Sequence, residues 1–263
     1  MDEHVKMTRP RTGWAADLAL LLGVTAGAWF FGVAVGRQFD TNLRCCQLPP
    51  YRNLLVSVKE TVGLESFPSE VGQDRWVSEG VFPGVRDGYF LDVGSGDGIE
   101  HSNTFALEQK GWKGICIDPF PTHMERRTCQ MFKQVVYSAS GKRVTFRMAG
   151  EMGGVETNLW WKDTADKLPA VEFTTVTLRD ILDRAQAPPF IYFMSLDIEG
   201  AELEALRGLP FDRYKFGAMA IEHNYDGIKR TEILQLLASH GYTRAFTWSR
   251  DDFYLPADSV PKR

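Results

Sequence analysis

Runs of basic residues are missing from this sequence, and so is any excess of positive charge. Thirty Lys and Arg stand against 34 Asp and Glu, a net charge of −4. Without clustered cations a nucleic acid backbone is excluded as the main partner, because phosphate binding is driven by such clusters. A small or glycan-like acceptor is the expected partner instead. Cysteine is scarce: Cys45 and Cys46 are adjacent, Cys116 and Cys129 stand alone, and no C-x-x-C or metal-finger spacing occurs. That excludes a zinc-knuckle domain, and the thiols inside the domain are expected to be reduced, with Cys116 simply packing in an apolar strand. Cys45 and Cys46 fall where a lipid chain can be attached. Internal repeats are absent, and so is the Tyr-x-x-x-Lys pair of many nicotinamide oxidoreductases.

One long apolar run is present. From Ala15 to Gly36 about 22 residues carry a single charge, Asp17, and a bilayer core needs about 20 at helical rise. The run is apolar on all faces, which favours a membrane-inserting helix over a buried one. A cleaved signal peptide is the alternative, with Lys6, Arg9 and Arg11 as its basic region and Ala34-Val35-Gly36 as a small-residue site. Arg37, Arg44 and Arg52 balance the cations on the other side, so charge does not orient the segment. The expected organisation is a tail over residues 1–13, a transmembrane or signal-anchor helix over 14–36, a juxtamembrane linker over 37–72 with a helix-like stretch at Leu54 to Val62, and a catalytic domain over 73–263. The cytosolic origin of the cofactor argued for below favours a single-pass membrane protein with a cytoplasmic domain. Oligomeric state is not readable.

Beyond Gln73, short apolar runs alternate with amphipathic segments, which predicts an α/β fold around a mostly parallel sheet. Strands are expected at Tyr89 to Val93, Gly114 to Ile117, Gln134 to Ser138, Ile191 to Leu196 and Gly217 to Glu222. Helices are expected at Ser102 to Lys110, Pro121 to Met131, Ala201 to Arg207 and Gly227 to His240. Thr243 to Trp248 and Asp252 to Leu255 have hairpin spacing, so the sheet should end in an antiparallel pair. Arg143 to Met148 and Val171 to Val176 read as an extra β excursion.

The strongest chemical signal is Tyr89-Phe90-Leu91-Asp92-Val93-Gly94-Ser95-Gly96-Asp97-Gly98, an apolar strand running into glycines at alternate positions. Glycine lets the backbone turn sharply and approach a ligand closely. Dinucleotide sites prefer G-x-G-x-x-G under a pyrophosphate, whereas this spacing is G-x-G-x-G. S-adenosylmethionine lacks phosphate, and its aminoacyl end asks for a carboxylate such as Asp92 and for amides of the Gly94-Ser95-Gly96-Gly98 turn. Asp118, 20 residues past Gly98 and at the end of the second strand, suits the ribose hydroxyls. Ser138, ending the third strand, is expected beside the adenine.

A second constellation, Ser195 to Glu202, ends one strand, and Ile221-Glu222-His223-Asn224 ends the next. Both should reach the same crevice. Methyl transfer from a sulfonium needs alignment and, for a hydroxyl acceptor, removal of a proton. His223 has a suitable ordinary pKa for that proton, with Glu199 or Glu222 orienting it or acting alone, and Asp197 holding cofactor or acceptor. Asp197, Glu222 and Asn224 also offer oxygens to a hard divalent cation such as Mg²⁺, and helix capping is the structural alternative for any of them. Glu202 and Glu204 are expected on a solvated helix face. Trp160 and Trp161 either stack on a sugar ring or cover the core.

Together, Gln73 to Val77, Tyr89 to Gly98, Ser102 to Thr104, Gly114 to Pro119, Ser195 to Glu202 and Glu222 to Asn224 resemble the FkbM-type methyltransferases, over nearly all of 73–263. The resemblance implies a Rossmann-like seven-stranded sheet and methyl transfer from S-adenosylmethionine, typically to a hydroxyl of a sugar, polyketide or similar metabolite. It implies cofactor contacts at Asp92, Gly94, Gly96 and Asp118, and acceptor-side roles for Asp197, Glu199, Glu222 and His223. The hydrophobic N-terminus departs from many soluble members. A nicotinamide oxidoreductase and a membrane-anchored, non-catalytic interaction module are the competing readings.

Overall fold

In the computed structural model, which describes residues 67–259, the apolar run Tyr89–Val93 forms β1 at the centre of a seven-stranded sheet. The other strands of that sheet are β2 (Lys113–Ile117), β3 (Gln130–Phe132), β7 (Phe190–Leu196), β8 (Lys215–Glu222), β9 (Tyr242–Trp248) and β10 (Asp251–Pro256). Their spatial order is β3-β2-β1-β7-β8-β10-β9. Pairs from β3 through β8 are parallel, and β10 is antiparallel to both β8 and β9. This is the mostly parallel, Rossmann-like arrangement expected, closed by the expected hairpin. A separate antiparallel sheet, β5-β4-β6, comprises β4 (Arg143–Arg147), β5 (Gly154–Val155) and β6 (Ala170–Thr174).

Alternation along the strands builds two cores, one on each sheet face. Leu91, Val93, Ile115 and Ile117 pack with Ile181, Leu206 and Leu237. Those partners come from α4 (Leu178–Arg184), α5 (Glu202–Arg207) and α6 (Gly227–Ser239). Phe90, Cys116, Phe193 and Phe253 face the other way onto Trp76, Val77, Leu107 and Trp112. Here α1 (Gln73–Arg75) runs into a π-helical turn at Trp76–Val81, and α2 (Phe105–Gln109) follows the glycine turn. Among the described residues the remaining helix, α3 (Lys162–Ala165), lies within the excursion between β5 and β6.

Two expectations for the β2 to β3 region fail. Pro121 to Met131 is not a helix; it holds only a 3₁₀ turn at Met124–Arg126, and β3 starts at Gln130 rather than Gln134. Glu108 draws the amides of Thr128 and Cys129 onto its carboxylate, which fixes this segment extended and brings the strand forward. The thiol expectation fails as well, because Cys116 and Cys129 form a disulfide, their Cα atoms 5.8 Å apart. Parallel pairing of β2 with β3, with Cys116 opposite Met131, brings the two cysteines together. The apolar segment at 14–36, Cys45, Cys46 and the stretch at Leu54 to Val62 lie outside the described residues. Among the described residues no helix is long and apolar enough to cross a membrane.

Candidate active site

Strand register dictates the site. Ile117, Val93, Leu196 and Ile221 stand side by side across β2, β1, β7 and β8, and Glu222 pairs in turn with Asp251 of β10. One residue further along the parallel strands, the row reads Asp118, Gly94, Asp197 and Glu222, with Asp251 completing it. Neighbouring strands lie about 4.8 Å apart, so this row gathers four acids around one glycine. Gly94 has φ +90°, and a Cβ on it would lie 1.6 Å from the Asp197 carbonyl oxygen. Only glycine allows β1 and β7 to turn away from each other there.

The row forms the floor of a cavity of about 340 Å³, within the size range of small-molecule sites. On one side the glycine turn is tied down: Gly94 and Ser95 donate their amides to the Ile117 carbonyl at 2.8 and 3.2 Å. Asp118 accepts the amide of Gly96 at 3.0 Å and that of Phe120 at 2.7 Å. Burial pushes the Asp118 carboxyl up, and these two amides oppose the shift. Asp92 lies deeper, with the Thr104 hydroxyl donating to it and the Arg127 guanidinium 3.9 Å away. Burial raises its pKa against both of these. Asp92, Gly94, Ser95, Gly96 and Asp118 all line the cavity.

Gly98 and Ser138 do not line it. The Gly98 carbonyl accepts from Arg127 at 2.8 Å, so this glycine braces the turn from behind. Ser138 accepts from Lys142 at 3.3 Å; because β3 starts earlier than expected, Gln134, Val135 and Val136 supply the wall instead. Phe120, Phe146 and Phe173 close that side in a cluster of rings with centroids 5.6–5.9 Å apart.

Two buried cavity-lining atoms have no hydrogen-bond partner: Ser95 Oγ and Asn103 Oδ1. The Asn103 amide is held from its other end, donating to Ser195 Oγ at 2.8 Å. Buried polar groups are normally satisfied, and this pair offers a hydroxyl and an acceptor beside Asp92. Gly96, with φ +46°, leaves its Cβ direction open to 3.8 Å. A ligand with an ammonium, a carboxylate and a ribose fits this donor and acceptor set. Asn103 was legible only as part of the Ser102-Asn103-Thr104 motif, not as a contact.

Across the cavity, Asp197 and Glu222 share a hydrogen bond. Burial pushes Asp197 up to about 8. Burial, and then the adjacent Asp197, push Glu222 up to about 11. Two buried carboxyls this close resist ionising together, so the pair holds a proton between them at neutral pH. Asn224 donates to Glu222 at 2.7 Å and to Glu199 at 3.3 Å, and Trp160 Nε1 donates to Glu199 at 3.0 Å. Asp197, Glu199 and Glu222 each place one oxygen within 4.8 Å of the others. Trp160 is thus a rim residue, 49% exposed.

His223 does not join them. Successive strand residues point to opposite faces, and as Glu222 turns into the cavity His223 turns away, its Nε2 3.8 Å from Asp252. It is buried, its Nδ1 accepts the Tyr225 amide at 3.1 Å, and burial lowers its pKa. Glu202 is not on a solvated face either. It is 1% exposed and accepts the Ile198 and Gly200 amides at 3.1 and 2.9 Å, holding the turn that carries Glu199. Sequence reading also missed Asp251, pushed up to about 7 by burial, and Arg250, 3.7 Å from Glu222; both line the cavity.

The methyltransferase FkbM domain matches residues 92–244, more than half of the chain. This chain belongs to the FkbM methyltransferase family. No curated protein and no solved structure matches it. The matched FkbM region begins at Asp92 and contains the whole row except Asp251.

Proposed function

We propose that this FkbM-family chain is an S-adenosylmethionine-dependent O-methyltransferase acting on a hydroxyl of a small molecule or glycan. The observation that carries the reading is that the Asp118 hollow and the Asp197–Glu222 pair open into one cavity. Asp118 is suited to the ribose hydroxyls, Asn103 Oδ1 and Asp92 to the ammonium, and Ser95 Oγ with the turn amides to the carboxylate. Val135, Val136 and Phe146 give the base an apolar seat. When bound, the cofactor supplies a methyl group already activated by positive sulfur.

The chain then has to align the acceptor and take its proton. Asp197 is the fitting base: burial pushes it up to about 8, so its ionised form is a far stronger base than an ordinary carboxylate and is still populated near neutral pH. Glu222 shares a proton with Asp197 and so orients it. Trp160 and Glu199 guard the acceptor entrance. The apolar segment at 14–36 is read as holding this chemistry at a membrane.

Isotopically labelled methyl donor, supplied with extracted metabolites, tests the reading. Wild-type protein should yield a labelled methyl ether, and Asp118→Ala should yield none. A folded wild-type protein with no measurable affinity for S-adenosylmethionine overturns it.

A further inference from the structure

The Cys116–Cys129 bond closes a segment that includes Asp118, Phe120 and Arg127, the wall of the cofactor hollow on the β2 side. Arg127 links that bond to the glycine turn. Its side chain is 1% exposed. Nε donates to Glu108 at 2.9 Å, Nη1 to the Gly98 carbonyl at 2.8 Å and to Ser102 at 3.1 Å. Nη2 donates to Thr104 at 2.7 Å and to Cys116 Sγ at 3.3 Å. Thr104 in turn holds Asp92. One guanidinium therefore touches a disulfide sulfur, the back of the glycine turn and the residue that positions Asp92.

We propose that Cys116 and Cys129 are a thiol–disulfide exchange site for a dithiol reductant, and that Arg127 is the positioning residue through which their redox state sets cofactor affinity. The inference rests on the cofactor reading above. Cys129 is the more accessible residue of the two, half-buried against a fully buried Cys116. A reductant thiolate attacks Cys129, forming a mixed disulfide. The Cys116–Cys129 bond breaks and its electron pair leaves on Cys116, beside the positive Arg127. Glu108, with an oxygen within 4.8 Å of both sulfurs, disfavours a lasting thiolate there, so Cys116 takes up a proton. The second thiol of the reductant then attacks its own mixed-disulfide sulfur and Cys129 leaves as a thiol. Two electrons and two protons have passed to the protein, and the reductant departs as a disulfide.

Two separate thiols need more room than one covalent bond, and close-packed interiors yield little. The segment at 127–129 has to move outward, and Arg127 moves with it. Gly98 and Thr104 then lose a fixed donor, and the hollow loses its preorganised shape.

The test uses the full chain carrying Cys45→Ser and Cys46→Ser, so that the two remaining cysteines are the only thiols. S-adenosylmethionine is titrated calorimetrically into the oxidised protein and into protein reduced with dithiothreitol, with thiols counted and circular dichroism recorded. The expected result is two thiols per chain on reduction, an unchanged far-ultraviolet spectrum, and a Kd raised by about tenfold, comparable to losing a charge-assisted hydrogen bond, with reversal on reoxidation. Arg127→Lys should bind more weakly when oxidised, show a smaller redox ratio, and keep kcat at saturating cofactor within about threefold. Equal affinity in both states with two thiols counted overturns the inference alone. Loss of the folded spectrum on reduction also overturns it, since the bond would then be a staple of the fold. No binding in either state overturns the cofactor reading and this inference together.

Discussion

A methyl group on Gly94 would sit 1.6 Å from the carbonyl oxygen of Asp197, so the glycine turn after β1 and the loop after β7 are in backbone contact. The two halves of the site are thus positioned by one steric condition, met where β1 and β7 end side by side.

Substituting the two central glycines should separate folding from binding. Gly94→Ala forces β1 and β7 apart and is expected to destabilise the fold by more than about 4 kcal/mol. Gly96→Ala meets nothing closer than Glu151 Cγ at 3.8 Å, so it costs roughly 1–2 kcal/mol for its left-handed backbone. It also puts a methyl into the hollow and should weaken cofactor binding by more than about tenfold. Denaturant unfolding and calorimetric titration of both variants check the pair; equal loss of stability in the two would contradict it.

The acid pair predicts an order of catalytic defects. Asp197→Asn should lower kcat by about 10²–10⁴ while leaving cofactor affinity near wild type. Glu222→Gln keeps a donor aimed at Asp197 and should retain activity within about tenfold. Because the pair has to lose a proton for Asp197 to act as base, kcat should rise with pH and level off above about 8, and Glu222→Gln, which removes the coupled partner, should shift that inflection. His223→Gln, directed at Asp252 rather than the cavity, should change kcat by less than about threefold. A His223 variant as inactive as Asp197→Asn would move the base to the imidazole.

Stability should fall as pH rises from about 4 towards 8. Asp251 and Asp197 have pKa values raised by folding, to about 7 and about 8. Their contribution is complete below the ordinary carboxylate value and is lost as pH climbs through the folded values. Each group removes about 1.4 kcal/mol per pH unit within its window. Asp252 acts oppositely: burial alone would raise it, yet hydrogen bonds from Arg230, Thr247 and Arg244 lower it, so its contribution is lost only in strong acid. Asp251→Asn keeps an acceptor for Gln73 Nε2 and should flatten the slope between pH 4 and 7 in urea unfolding.

Strand ends were legible because each apolar run stops at a glycine or an acid. Tyr89–Val93 was read to the residue, and the end at Glu222 was found as well. What alternation along one strand does not contain is its neighbour's register. Asp197 and Glu222 could be placed at one edge, but their adjacency needed Leu196 opposite Ile221. The face of His223 was misjudged for the same kind of reason, since Glu222 is the last strand residue and the next one turns the other way. Pro121 to Met131 has helical spacing, and a distant carboxylate, Glu108, overrides it. The disulfide left no trace in spacing, being made by β2 to β3 pairing.

The three-stranded excursion over residues 143–174 hangs from the main sheet between β3 and α4, yet none of its strands belongs to the seven-stranded sheet. It contributes Phe146, Gly150, Met152 and Val155 to the cavity wall and Trp160 to the entrance. Such a module can lengthen, shorten or change its side chains while the glycine turn and the acids keep their footing in the strand row. On the proposed reading, evolution could therefore retarget the chain to a different acceptor by rewriting one contiguous stretch of the gene, at little cost to the strand row proposed to hold the methyl donor.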